Sequence, residues 1–220
     1  MSKLDYRLNA LVDSGLGQGV DLAEMAAMAA RHGATLIQYR AKTSSTKEMI
    51  QTARAIRAAL QDTGVLLVVN DRVDVALAAG ADGVHLGRDD MDADAARRLL
   101  GPTAIIGLTV KDLGDAEVAA TAPVDYACIG GVFETLSKVN PDQPLGLGGF
   151  ADLRGFLRQT RPELPVGAIA GITLEKVPDI IAAGADGVAV ISALFRAPDI
   201  GAATRALRKA IDHNLEYRCS

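Results

Sequence analysis

An α/β fold, a single (β/α)8 TIM barrel over residues 1–220, is what three features of this chain predict. Short apolar runs alternate with longer Ala-rich stretches of helical period from end to end, the pattern of βαβ units on a parallel sheet. Eight such pairs fit into 220 residues, which suits a closed barrel of compact units better than an open sheet. An internal echo supports closure. Ala79-Gly80-Ala81-Asp82-Gly83-Val84 returns as Ala183-Gly184-Ala185-Asp186-Gly187-Val188, and each copy reads as a helix end, a turn through glycine and entry into a buried strand. The two copies begin strands half a barrel apart, so Asp82 and Asp186 read as turn and capping residues at the end opposite the active face.

The elements follow in order. The first strand, Leu8–Val12, runs into Gly15-Leu16-Gly17-Gln18-Gly19, whose glycine spacing is not GxGxxG, and the second strand ends in Tyr39-Arg40 rather than an acid. A flexible loop is therefore expected there, not a dinucleotide site. The remaining strands are expected over Thr35–Tyr39, Val65–Asn70, Gly83–Leu86, Ala104–Thr109, Tyr126–Gly130, Val166–Ile169 and Gly187–Ile191. Helices are expected to begin near Asp21, Thr46, Arg72, Asp92, Asp112, Gly149, Thr173 and Asp199. No linker or low-complexity stretch divides the series, so no domain boundary is expected.

Composition narrows the function. The chain is 49% hydrophobic and 23% charged, enough for one substantial core. With 4% aromatics and no tryptophan, that core must be built by regular packing of Ala, Val, Ile and Leu. A net charge of −4 argues against a general nucleic-acid binder. No apolar run reaches membrane-spanning length and no signal-type segment opens the chain, so no membrane partner is expected. Two cysteines without CxxC or zinc spacing fit a reduced, cytoplasmic compartment.

In a barrel of this kind chemistry sits just after the strands, and the unusual polar residues gather there. Strand alternation turns Gln38, Arg40 and Lys42 to one side, an amide, a guanidinium and an ammonium in a row, with no acid beside them in sequence. That face suits phosphate or pyrophosphate oxygens; the plainer alternative is a solvated edge with two surface cations. The third strand ends in Asn70-Asp71, and Asp90 follows the fourth. Either acid could cap a helix, but two carboxylates after adjacent strands, completed by a ligand's phosphates, also match Mg²⁺. His85 reads as a buried, hydrogen-bonded histidine, since His32 and His213 lie on helices. Thr109 ends the fifth strand. The long connection after the sixth, with Thr135, Ser137 and Lys138, reads as a lid. Gly171 after the seventh strand, and Ile191 and Ser192 after the eighth, match a backbone phosphate cradle.

Together, Gln38-x-Arg40-x-Lys42, Asn70-Asp71, Gly83-Val84-His85-Leu86-Gly87 with Asp90, Thr135-x-Ser137-Lys138, Gly171-Ile172-Thr173 and Gly184-Ala185-Asp186-Gly187-Val188 with Ile191-Ser192 resemble the thiamine-phosphate synthase (thiamine-phosphate pyrophosphorylase) family, from about Leu36 to Ile211. The resemblance implies a transferase joining 4-amino-5-hydroxymethyl-2-methylpyrimidine diphosphate to 4-methyl-5-(2-phosphoethyl)thiazole. It implies that Gln38, Arg40, Lys42, Asn70, Thr109 and Lys138 hold the pyrimidine diphosphate, with Arg40, Lys42 and Lys138 stabilising the departing diphosphate. It further implies Asp71 and Asp90 as ligands of a Mg²⁺ cofactor, and Thr135, Ser137, Gly171, Ile191 and Ser192 as holding the thiazole phosphate. Small-molecule substrates are the implied partners, and a homo-oligomer is left open. The chain departs from the usual family pattern at Thr109, Val110-Lys111-Asp112, Gly130-Gly131, Ser137, Ala170 and Arg88, the last read as a solvated loop cation. A thiazole-phosphate-binding regulator, or a tautomerase-like relative without coupling activity, is the alternative.

Overall fold

The computed structural model describes residues 4–16, 19, 21–135 and 143–219. Eight parallel strands close in sequence order: β1 (Leu8–Asp13), β2 (Leu36–Arg40), β3 (Leu66–Asn70), β4 (Gly83–Leu86), β5 (Ile105–Val110), β6 (Tyr126–Ile129), β7 (Val166–Ile169) and β8 (Gly187–Val190), with β8 pairing back onto β1. Around them lie α1 (Leu22–Arg31), α2 (Thr46–Ala59), α3 (Val73–Ala79), α4 (Ala93–Leu100), α5 (Leu113–Thr121), α6 (Gly146–Thr160), α7 (Val177–Ala182), α8 (Ser192–Phe195) and α9 (Ile200–Cys219). The expected (β/α)8 barrel is the observed one. No helix among the described residues is long and apolar enough to cross a membrane.

Two helix starts differ from expectation. Helix α6 begins at Gly146, three residues before Gly149, because Leu145 and Gly146 donate their N–H groups to Gly131 and Val132 and so launch the helix from the β6 end. Beyond Thr173 the chain first makes a 3-10 turn, Leu174–Lys176, before α7, where Pro178 sits in the first turn without needing an N–H donor. After β1, Ser14–Leu16 form a 3-10 turn pinned by Asp13 Oδ1 on the Gly15 amide at 2.7 Å; residues 17 and 18 of the expected flexible loop lie outside the described residues.

Strand alternation sorts the core. Leu8, Ala10, Val12, Ile37 and Tyr39 face outward into the layer between sheet and helices, where they join Val69, Val84, Ile106 and Val188. The barrel axis is filled separately. Tyr6, Leu36, Val68 and Tyr126 form its floor, with the two tyrosine rings stacked at 4.4 Å between centroids. Above them lie Leu11, Cys128 and Ala189, packed by Ile169 and Ile191. The tyrosines cross the axis because β5 and β7 offer glycine there: a Cβ on Gly107 would lie 2.1 Å from Tyr126, and one on Gly167 2.1 Å from Tyr6.

The floor end carries one device four times. The residue just before each even strand both donates its backbone N–H to the preceding strand and accepts that strand's N–H with its side chain. Thr35 does so with Leu8, Asp82 with Leu67, Asp125 with Ile106 and Asp186 with Val166, all at 2.7–3.0 Å. Asp82 and Asp186 thus lie at the end opposite the active face, as expected, but clasp strands instead of capping helices. Asp186 also meets Arg154 and Arg218, and Asp125 meets Arg97. Because a one-residue slip would break both bonds of a clasp, these residues hold register and set which side chains reach the opposite end.

Candidate active site

At the C-terminal ends of the strands two cavities adjoin. The inner one, ≈ 130 Å³, sinks into the barrel and is lined by Gln38, His85, Cys128, Ile169 and Ala189, with Thr135, Gly171, Ile191 and Ser192 on one side. The outer one, ≈ 600 Å³, is rimmed by charge: Lys42, Asp71, Arg88, Asp90, Asp112 and Asp115. Arg40, Asn70, Thr109, Lys111, Gly130 and Gly131 line both and form the wall between them. The inner space is apolar with a few fixed donors, whereas the outer is ionic.

Strand β2 delivers Gln38, buried, and Arg40 toward the axis, as alternation requires. The expectation that the cations lack acids is corrected by closure of the barrel. Arg40 pairs with Asp13 at the end of neighbouring β1, their side chains 15% and 10% exposed, and Lys42 pairs with Asp71 beyond β3. Asp71 is not a helix cap, since the residue before α3 is Arg72. Its backbone is left-handed, φ 64, uncommon for a residue with a Cβ and here found at a strand end facing the ionic cavity. Asp90 accepts the Gly87 amide at 2.7 Å. Burial pushes the Asp90 carboxyl above its ordinary value, and the neighbouring Asp71 carboxylate pushes the same way, against the Gly87 N–H and Lys42. Among the described residues no group of three or more His, Cys, Asp or Glu could hold a metal. Asp71 and Asp90 are therefore a two-carboxylate set of hard oxygens, the kind that fits a cation whose remaining ligands come from phosphates and water.

Arg88 is an exposed loop cation, as read, but one with acid partners. It reaches from beyond β4 to Asp112 and Asp115 at the start of α5, and the Asp115 amide and Arg88 hold the Asp112 carboxyl below the usual range. Asp115 also accepts the Lys111 amide, so Arg88 braces the loop carrying Lys111. Lys111 itself went unassigned from sequence. The available signal was parity, because it continues the inward register of Gly107 and Thr109. Its stem passes 3.9 Å from the position a Cβ on Gly130 would take, over the wall between the cavities.

The inner cavity's far side is backbone. Ala170 has φ 89 and Gly171 φ 64, and a Cβ on Gly171 would lie 2.3 Å from the Glu134 carbonyl oxygen. The segment after β6 is laced to this turn by Val132 and Phe133 amides on Ile169 and Ala170 carbonyls, which places Thr135 in the cavity wall. Lys176 lies over the Phe133 ring and donates to the Gly171 carbonyl. Ser137 and Lys138, with the rest of 136–142 in the expected lid, lie outside the described residues. All other residues expected at the site from sequence line one or both cavities.

Comparison with known proteins agrees with this geometry. Residues 8–194 match the family model described as thiamine monophosphate synthase. The chain is 65% identical over 218 residues to a thiamine-phosphate synthase of Agrobacterium fabrum, covering 99% of both chains, and 41% identical to one of Chloroflexus aurantiacus, covering 94% of both. It is similar to the solved thiamine phosphate pyrophosphorylase of Pyrococcus furiosus, with a TM-score of 0.83 and 35% identity over 97% of this chain and 98% of that one. On matches of this extent, the chain belongs to the thiamine monophosphate synthase family and is an enzyme of that kind.

Proposed function

We propose that the enzyme couples 4-amino-5-hydroxymethyl-2-methylpyrimidine diphosphate to 4-methyl-5-(2-phosphoethyl)thiazole, giving thiamine phosphate and pyrophosphate. The observation that carries this reading is the pair of adjoining cavities of opposite character with a shared polar wall. A diphosphate ester with an aromatic head needs an ionic chamber for one end and an apolar one for the other, with the bond to be broken at the boundary. Arg40, Lys42 and Asn70 approach the diphosphate from β2 and β3, and Thr109 meets it from β5. Gln38 orients the pyrimidine from within the barrel. Gly171, Ile191 and Ser192 hold the thiazole phosphate through neutral donors, with Thr135 beside them. Ser137 and Lys138 complete the set by position in the sequence.

Asp71 and Asp90 fit a Mg²⁺ ion, which when bound would neutralise charge on the diphosphate. The chain's own part is electrostatic. Arg40 and, from the half-exposed rim, Lys42 would face oxygens whose charge grows as the methylene–oxygen bond breaks, and cations already in place lower the barrier with little reorganisation. The thiazole nitrogen then attacks the pyrimidine methylene, and no protein nucleophile takes part. Residues 1–220 act as one domain in this reading.

The test is pyrophosphate release by the purified enzyme with both substrates and Mg²⁺, beside controls omitting each. Release that needs all three supports coupling. Thiazole-phosphate binding without release would favour the regulator, and Ala170 would be the first position to revert to glycine.

A further inference from the structure

Beneath the shared wall, Thr109 continues into a line of two polar side chains, His85 and Tyr126, that the coupling reading leaves unused. Tyr126 Oη lies 2.9 Å from His85 Nδ1, and His85 Nε2 lies 2.9 Å from Thr109 Oγ1. The tyrosine ring is fully buried on the barrel floor, stacked on Tyr6 and, at 5.4 Å, on the imidazole. Thr109 lines both cavities. The line thus runs from the sealed floor to the point where a ligand would lie.

A hydrogen-bond network of this kind has two arrangements, and the buried end selects one. Burial pushes the Tyr126 phenol well above its ordinary value, so its proton stays on at neutral pH. That proton needs an acceptor, because a buried hydroxyl proton without one costs free energy. Among the described residues, His85 Nδ1 is the acceptor within reach. Nδ1 must then be bare, and a neutral imidazole carries its proton on Nε2, which donates to Thr109 Oγ1. With one lone pair of Oγ1 taken, the threonine's own proton turns away from His85, into the cavity. The reverse arrangement, with Nδ1–H donating to Tyr126 and Thr109 donating to Nε2, leaves the phenol proton sealed on the floor and spends the threonine proton inward.

We propose that Tyr126 and His85 are positioning residues that fix Thr109 as a hydrogen-bond donor into the site, toward an acceptor oxygen of the bound diphosphate ester. The tautomer stands on the two 2.9 Å contacts and on the sealed phenol's need of an acceptor; the last link, to the ester, rests on the coupling reading. Gly107 belongs to the device, since any Cβ there would collide with the Tyr126 ring, 2.4 Å from the hydroxyl. The device also bears on the threonine itself: serine keeps a hydroxyl at position 109, valine keeps the shape and removes it.

The experiment uses full-length protein labelled with ¹⁵N-histidine, with His32→Gln and His213→Gln variants to assign the three imidazoles. Long-range proton–nitrogen spectra should find His85 neutral, protonated at Nε2 and bare at Nδ1, and Tyr126→Phe should raise the Nδ1-protonated population. A wild-type His85 protonated at Nδ1 overturns the proposal. In the pyrophosphate-release assay, Tyr126→Phe should lower kcat/KM roughly threefold to tenfold, the worth of one neutral hydrogen bond. That loss should persist in Thr109→Ser and vanish in Thr109→Val. An equal loss in Thr109→Val shows that Tyr126 acts on something else and overturns the relay. The spectra are read on ligand-free protein, so an enzyme that releases no pyrophosphate removes the coupling reading while the tautomer is still decided.

Discussion

Removing the acid behind Arg40 should weaken the fold and strengthen the site at once. Asp13 and Arg40 form a nearly buried pair, 10% and 15% exposed in their side chains, at the boundary of the two cavities. Asp13→Asn keeps an oxygen for the Gly15 amide, which Asp13 Oδ1 now holds at 2.7 Å, and deletes only the charge. Breaking a buried pair by removing one partner costs about 3–5 kcal/mol. Here the guanidinium opens onto a cavity, and partial solvation brings the expected loss to about 2–3 kcal/mol. The effect on an anion has the opposite sign. A carboxylate beside an anion site in well-screened surroundings repels the anion by about 1 kcal/mol, so its removal should tighten binding roughly fivefold. Urea unfolding of wild type and variant, with and without pyrophosphate and Mg²⁺, reads both numbers, because a ligand bound only to the native state stabilises it by mass action. The variant should start lower and gain more from pyrophosphate. Equal stability, or a smaller gain from pyrophosphate than wild type shows, refutes the assignment of Arg40 as an anion contact neutralised by Asp13.

Three further outcomes follow from named positions. Asp71→Asn should weaken Mg²⁺-dependent turnover without unfolding the barrel, since asparagine tolerates the left-handed backbone at φ 64; an unchanged Mg²⁺ titration in the folded variant removes Asp71 as a ligand. Ala170→Gly should raise stability by about 0.5–1 kcal/mol, because relief of a left-handed alanine, about 1–2 kcal/mol, outweighs the added freedom of the unfolded chain, about 0.4–1 kcal/mol; a lower melting temperature would contradict this. Burial pushes the Cys128 thiol up to about 12. The neutral thiol is the native form, so its contribution is complete below the unfolded value near 9 and is lost as pH rises from there toward 12. In a Cys219→Ser variant, thiol reagents at pH 8 should therefore label Cys128, which lines the inner cavity, far more slowly than they label it in urea-unfolded protein, and equal rates would contradict the shift.

The alternation of apolar runs and helical stretches determined the barrel from sequence, because strand and helix periods are set within a few residues by backbone geometry. Gly83–Leu86 and Val166–Ile169 were legible to the residue, bounded by a glycine turn or a proline before and a polar or glycine stretch after. The same parity turned Gln38 and Arg40 to the axis, and it also applied to Lys111, where it was not used. What parity cannot give is company. Asp13 and Arg40 are 27 residues apart, Lys42 and Asp71 29, and Tyr126 and His85 41, and each pair forms only because closure and register bring those strand ends together. Thr35 and Asp125 show the same limit from the other end. Neither lies in a repeated motif, yet both make the clasp that Asp82 and Asp186 make, since what the position requires is an acceptor at that height on an even strand. The chain's local chemistry thus wrote the strands and the polar residues at their ends. Only the closed barrel decided which charge neutralises which, and where the boundary between an ionic and an apolar cavity falls.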